Sequence, residues 1–374
     1  MEENENKILN VPTLRFGGFS DLWKKSTIEK NAKVYDGTHQ TPIYTKSGVK
    51  FVSVENINDL YSSGKYISVD DYNSDFKYVP EINDILMTRI GDIGTPALVT
   101  KSEPLAYYVS LALLKEIDLE PHFLYHYIQT APFQKELWRR TLHVAFPKKI
   151  NKNEIGDCAI FYPSTRCEQK KIALFLDGIE KRIKIQNKII SKYETLIKGL
   201  CDKIFRHDKS VCLSDLVRCK TSILQENEIA TYYNGEYNVF GASGIIASIN
   251  KYQFEDDGIL VLKDGSKAGK IQYAEGKYSV VGTSVVLIPN NADDARYLYF
   301  AMLSIDFDKY KVGSGIPHIY FKDYSYERIY YPNSALRIMI AKVLDAYETK
   351  VETEKEMLSA LQKQKAFLLQ SMFI

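Results

Sequence analysis

The run IALFLDGIEKRIKIQNKIISKYETLIKGLCDKI, residues 172–204, places its apolar residues in alternating steps of four and three. Ile172, Leu176, Ile179, Ile183, Ile190, Tyr193, Ile197, Leu200 and Ile204 follow that rhythm, with Gln186 as the polar member. A second run, IAKVLDAYETKVETEKEMLSALQKQKAFLLQSM at residues 340–372, repeats it. Its seam is Ile340, Leu344, Tyr347, Val351, Glu354, Leu358, Leu361, Lys365, Leu368 and Met372. A 3.5-residue period held this long specifies a helix that buries one narrow seam against another helix. At 1.5 Å per residue each seam is about 48 Å long. A shift of 168 carries every position of the first seam onto the second, so Gln186 falls on Glu354. A polar seam residue lowers stability while fixing register and orientation. Its recurrence at the fifth position points to two copies of one ancestral helix.

The repeat extends upstream of both helices. Ile160-Phe161-Tyr162-Pro163 precedes the first and Ile329-Tyr330-Tyr331-Pro332 the second. Each proline ends a strand-like run, because it cannot donate to a ladder and holds its predecessor extended. Thr165 with Glu168 forms a capping box for the first helix. Ile85–Gly91 resembles Ile259–Gly265, and Phe123-Leu124-Tyr125 resembles Tyr297-Leu298-Tyr299. The expected order is therefore a globule of mixed α/β character (1–163), a helix (164–208), a second globule (209–332) and a second helix (333–374). An antiparallel pairing of the helices puts the globules at opposite ends about a pseudo-twofold axis, and a parallel pairing puts them at one end. Spacing alone leaves both open. The alternative, in which each heptad is the core helix of its own domain, fits such long and regular seams less well.

Composition removes several function classes. The 374 residues carry 49 Lys and Arg against 47 Asp and Glu, a net charge of +2 that gives no whole-molecule argument for acidic partners. Any nucleic-acid contact must rest on local charge. The N-terminal MEENENKILNVPTLRF lacks a signal-peptide pattern, and no apolar run approaches the ~18 residues that span a bilayer. A cytoplasmic protein without membrane contact is expected. Five cysteines without a C-x-x-C pair read as reduced thiols, and the scattered histidines have no metal-ligand spacing. Gly265-Ser266-Lys267-Ala268-Gly269-Lys270 has only three residues between its glycines and Ile271 after the lysine, so it is a turn with two lysines and not a phosphate loop. No catalytic motif is present, and no metal site is expected.

Two variable globules alternating with two long repeated helices resemble the specificity subunit of type I restriction–modification systems. The local carriers are Val11-Pro12-x-Leu14-Arg15-Phe16, Asp36-Gly37-Thr38-His39-x-Thr41-Pro42-x-Tyr44 and Ser53-Val54-x-Asn56-Ile57. In the second half they are Tyr237-x-Val239-Phe240-Gly241-Ala242-Ser243-Gly244-Ile245-Ile246 and the strand ending Lys263-Asp264-Gly265-Ser266. The resemblance covers nearly the whole chain. It implies two target-recognition domains, each reading half of a split asymmetric site in double-stranded DNA, separated by helices packed as an antiparallel coiled coil. It implies that the helices dock two modification subunits, which methylate adenine, and that restriction subunits join them. S-adenosylmethionine, ATP and magnesium would then sit on those partners, this chain binding no cofactor and catalysing nothing.

Reading duplex DNA requires hydrogen-bonding side chains on protruding loops and basic residues at the phosphates. Arg89 ahead of Gly91-Asp92-x-Gly94, and Lys263 ahead of a turn carrying Lys267 and Lys270, are candidates in equivalent places. Thr38, His39 and Gln40 lie in a polar segment before Pro42, and His143, Lys148 and Lys149 roughly align with His318. Solvated hairpins with incidental charge are the other reading of all these loops. The first helix region holds eleven basic and six acidic residues against six and five in the second, with Lys181, Arg182, Lys184 and Lys188 at its middle. Leu174, Phe175, Ile185 and Ile189 widen its apolar stripe beyond a two-helix seam, so a third surface is expected there. Two further functions remain: a coiled-coil adaptor whose globules bind proteins, and a nuclease or methylase of unfamiliar motif.

Overall fold

The structure, a computed structural model, describes residues 11–206, 209–229, 235–313 and 315–374. The polar start of the chain and the expected helix end at 207–208 lie outside the described residues. Contacts group the chain into two units, Met1–Ile185 with Leu358–Ile374, and Gln186–Met357.

In the first unit the strands are β1 (Lys24–Thr27), β2 (Lys33–Asp36), β3 (Val49–Val52), β4 (Tyr66–Ile67), β5 (Ile85–Ile90), β6 (Asp92–Leu98), β7 (Leu105–Tyr107), β8 (Leu111–Lys115) and β9 (Ala159–Tyr162). Helices α1 (Val69–Asp75), α2 (Pro121–Ile128), α3 (Ala131–Arg140) and α4 (Lys152–Gly156) lie between them, and α5 (Arg166–Phe205) follows. The strands pair in the orders β2-β8-β5-β6, β4-β3-β7 and β1-β9. β5 is apolar from Ile85 to Met87 and β8 from Leu111 to Leu114, because both faces of each are covered. Ile85, Met87, Ala112 and Leu114 point into a core with Phe123, Leu124 and Tyr127 of α2. Their neighbours Leu86, Leu111 and Leu113 point into another with Val52, Leu105 and Tyr107. The period of two in side-chain direction turns one run into two buried faces.

The second unit repeats this strand for strand. Its strands are β10 (Lys209–Cys212), β11 (Val217–Thr221), β12 (Tyr237–Gly241), β13 (Gly244–Ile249), β14 (Gly258–Leu262), β15 (Ile271–Ala274), β16 (Tyr278–Val280), β17 (Ser284–Pro289) and β18 (Arg328–Tyr330). Its helices are α6 (Leu213–Leu216), α7 (Glu226–Ile229), α8 (Ala295–Met302) and α9 (Phe321–Tyr324), with α10 (Ser334–Ser371) after them. The orders are β11-β17-β14-β15, β13-β12-β16 and β10-β18. Even the parallel pair recurs, β12 with β16 as β3 with β7. Ile259 and Val261 again face α8, while Leu260 faces the other way.

Both long helices contribute to both units. On α5, Ile172, Leu176, Ile179, Gln186 and Ile190 are buried, and Ile183, Tyr193, Ile197, Leu200 and Ile204 are half-buried. On α10, Ile340, Leu344, Val351, Leu361, Leu368 and Met372 are buried, and Tyr347, Glu354, Leu358 and Lys365 half-buried. In the second unit Gln186 Nε2 donates to the Glu354 carbonyl at 3.0 Å and to its carboxylate, and one heptad along, Tyr193 meets Tyr347 with ring centroids 6.5 Å apart. A step forward on α5 is thus a step backward on α10, an antiparallel pairing. In the first unit the last turn of α10 and the residues just after it enter the core beside the first turns of α5: Leu368, Met372 and Phe373 share it with Ile172, Leu176 and Ile179.

Repeated polar contacts hold each helix to its globule. Tyr125 donates to Glu180 at 3.0 Å and Tyr299 to Glu348 at 2.8 Å. Asp177, one turn before Glu180, takes His122 at 2.7 Å and His126 at 2.8 Å. Asp345, one turn before Glu348, takes Arg296. Burial pushes the Asp177 carboxyl up, but the two imidazoles more than offset this and hold it well below the usual carboxylate range. Asp177 in turn raises His122 against the opposing effect of burial. Glu168, expected to cap its own helix, accepts Arg15 through both oxygens at 2.7 and 2.8 Å.

Candidate nucleic-acid interface

Three loops of the first unit are fastened together by one arginine. Arg89 is the next-to-last residue of β5, and the chain turns at Gly91, whose φ of 81° is the left-handed region that a side chain resists. Arg89 is 5% exposed. Its guanidinium donates to the carbonyl of Ile150 at 3.0 Å and to the Asp36 carboxylate at the end of β2. Its backbone is bonded as well: Ile150 N donates to Arg89 O at 3.0 Å, and Gly91 N to Lys148 O at 2.8 Å. Arg89 therefore ties the turn after β5 to the segment after Asp36 and to the hairpin at 142–149. Arg89, expected among the DNA contacts, is held inside this junction by a carbonyl at its Nε and a carboxylate at one Nη.

The side chains that do project are around it. Leu142 N donates to Lys149 O at 2.8 Å, closing a hairpin with Val144 and Phe146 98% and 103% exposed. Lys148 and Lys149 are exposed. The hairpin base rests on Trp138 of α3. Lys148 Nζ lies 4.4 Å from the indole centroid, the His143 ring packs at 4.4 Å, and its Nε2 is 2.9 Å from the Trp138 carbonyl. After β2, a Cβ on Gly37 would lie 2.4 Å from the Tyr107 carbonyl, so the chain passes there only as glycine. Thr38 is held by backbone bonds to Tyr107 and Val109, at 3.1 and 2.9 Å, and beyond it His39 and Gln40 are exposed with Ile43 and Tyr44.

The second unit builds the same junction from other residues. Ile319 N donates to Lys263 O at 2.9 Å and Gly265 N to Pro317 O at 3.0 Å, matching Ile150 with Arg89 and Gly91 with Lys148. Val312 and His318 exchange bonds at 2.9 and 2.8 Å, as Leu142 and Lys149 are bridged. His318, expected beside Lys148 and Lys149, occupies the bridge position of Lys149, and its Nδ1 sits 2.8 Å from Asp264. Lys263 is half-buried, while Lys267 and Lys270 are exposed on the following turn. Those two lysines border an open hollow with Lys198 of α5 and Lys311.

On the helices, Lys181, Arg182, Lys184 and Lys188 are exposed. Leu174 and Ile185 are uncovered, Phe175 is 40% exposed with its ring edge-on to Phe16 at 5.7 Å, and Ile189 is half-buried; Met339 and Val343 add uncovered apolar surface on α10. Trp138, Val144, Phe146 and Met339 escaped the sequence reading, and Asp36 was visible there only as part of a motif, without its role as partner of Arg89. The adjacent clusters Trp138-Arg139-Arg140 and Phe146-Pro147-Lys148-Lys149, each mixing aromatic and basic residues, were the available signal. Among the described residues, no group of three or more His, Cys, Asp or Glu is placed to hold a metal ion, and no helix is long and apolar enough to cross a membrane. The thiols of Cys158 and Cys201 are pushed up to about 12 by burial, which removes them as nucleophiles.

Residues 15–195 and 208–363 match the type I restriction modification DNA specificity domain. The type I restriction enzyme MjaVIII specificity subunit of Methanocaldococcus jannaschii is 27% identical over 163 residues. That alignment takes in 41% of this chain and 38% of the relative, so well under half of the relative's length is matched. The S subunit of a type I restriction–modification system from M. genitalium superposes with a TM-score of 0.66 at 17% identity, over 97% of this chain and 99% of that one. A chain from a structure of type I R-M complex assembly and conformational transition superposes at 0.52 with 13% identity, over 94% and 97%. At such identities the likeness to the two structures is one of fold.

Proposed function

This chain belongs to the type I restriction modification DNA specificity family, and from that premise we propose that it reads a split, asymmetric site in double-stranded DNA, one half with each unit. The chain is the non-catalytic member of its system. Two modification subunits dock on it and methylate adenine with S-adenosylmethionine, and restriction subunits that use ATP and magnesium join them, all in the cytoplasm. The exposed apolar residues of α5 and α10, among them Leu174, Phe175, Met339 and Val343, are the surface offered to those subunits.

One observation carries the reading. The same backbone junction, a strand end bonded to a projecting hairpin, is built twice from unrelated side chains, and basic residues are exposed beside it both times. A framework kept constant while its projecting residues vary suits recognition of two different half-sites. Lys148 and Lys149 with His39 and Gln40 serve the first half-site; Lys263, Lys267, Lys270 and His318 serve the second. Thr38 positions the first of these loops, and Arg89 acts through the three loops it joins.

Salt-dependent binding tests this directly. The chain, co-purified with its methyltransferase, is expected to shift duplex DNA with an affinity that falls linearly in log–log form with salt, by about 0.9 per phosphate contacted. An affinity insensitive to salt, with retained binding to a protein partner, would instead favour an adaptor.

A further inference from the structure

Phe146 and Val144 are the two most exposed large apolar side chains among the described residues, at 103% and 98%. Their hairpin is not free to fold back and cover them. The Leu142–Lys149 bridge closes its neck, Gly91 N holds Lys148 O, and Trp138 carries both Lys148 and His143. Pro147 follows Phe146 directly and fixes the backbone beside it. The chain beyond the tip is cationic: Lys148 and Lys149 come next and both are exposed. A protein-docking patch has a contiguous apolar centre depleted of charge. A narrow apolar tip followed by two exposed lysines matches stacked bases beside a phosphate backbone. The second unit repeats the exposed apolar residues but not the lysines: Ile316 is 62% and Val312 49% exposed, while Pro317 and His318 stand where the first unit has Lys148 and Lys149.

Resting on the DNA-reading role above, we propose that the apex of hairpin 142–149 enters the base stack of bound DNA. Phe146 is the inserted side chain, and Ile316 is its counterpart at the other half-site. Insertion of an apolar wedge unstacks one base step and kinks the duplex, which at the first half-site brings Lys148 and Lys149 onto the phosphates. The apex then discriminates by how easily a step opens, favouring flexible pyrimidine–purine steps without hydrogen-bonding to any base.

The test uses the full chain with its methyltransferase subunits, on duplexes carrying the site that the complex methylates. 2-Aminopurine replaces one base at a time throughout each half-site, away from the methylated adenine. The expected result is a fluorescence rise at one step per half-site. Phe146→Ala abolishes the rise in one half, weakens binding about tenfold and leaves the salt slope unchanged, because the lysines remain; Phe146→Trp restores the signal. Bright steps that persist in Phe146→Ala, or no bright step in the wild-type complex, overturn the wedge while DNA reading stands. Loss of the methyltransferase subunits from Phe146→Ala assigns the apex to protein docking and also overturns it. A wild-type complex without salt-dependent DNA binding removes the DNA-reading role and the wedge together.

Discussion

Arg89 and Lys263 occupy one position of a repeated junction, yet only the arginine is enclosed. The reason lies on the neighbouring strand. Asp36 ends β2 opposite Ala112 of β8, and Thr221 ends β11 opposite Val285 of β17. A guanidinium is buried only with a charged partner and satisfied donors; with threonine at the equivalent place, the second unit keeps a lysine at the surface. Arg89→Ala is expected to destabilise the first unit by about 2–4 kcal/mol, measured by chemical denaturation. Lys263→Ala is expected to stay within about 0.5 kcal/mol while weakening DNA binding. Lys148→Ala and Lys149→Ala should each reduce the salt slope of binding by about 1. The helix clamp carries a pH signature. His122 is raised by Asp177, so its stabilisation is complete below the unfolded value of about 6.5 and is lost as pH rises through the folded one. Asp177 is depressed, so its contribution is present above about 3.9 and is lost as pH falls through its folded value. Melting temperatures should therefore drop from pH 5.5 to pH 8.5, and drop less in His122→Gln.

Helices, strands and loops differ in how far their own residues announce them. The seams of α5 and α10 were legible because a 3.5-residue period is a local property, and each seam position is at least half-buried. The apolar runs of β5 and β14 were legible as strands, although which face meets which core depends on the layers above and below. The clamp residues Asp177, Glu180, Asp345 and Glu348 carry no local signal, since the groups that bind them lie about fifty residues away. Burial of Arg89 was hidden for the same reason, Asp36 being 53 residues distant. The exposure of Phe146 was hidden because only the fold shows that nothing covers it. Gln186 and Glu354 are equivalent residues of the two repeats that face one another, the arrangement an antiparallel pair of repeated helices produces at one point. Replacing both with leucine is expected to raise the thermal midpoint by a few degrees while loosening helix register, as polar seam residues exchange stability for specificity. Leu176→Ala, which empties a fully buried site in the first core, should cost about 3 kcal/mol.

Two units with the same strand orders, the same parallel pair and the same hairpin junction are what duplication of one recognition module leaves behind. They differ in the helices between the strands and in the projecting side chains, Phe146, Lys148 and Lys149 in one and Ile316 and His318 in the other. A protein built this way has a ready route to an asymmetric target, because each module can drift without disturbing its twin. Substitutions in hairpin 142–149 are accordingly expected to relax recognition in one half-site only, and those in hairpin 312–318 in the other half alone. The most direct measurement is single-molecule sequencing of DNA from cells that express this chain together with its methyltransferase. The account predicts one modified-adenine motif made of two different defined blocks separated by a fixed run of unread bases. A single uninterrupted motif, or no newly modified adenine at all, would contradict it.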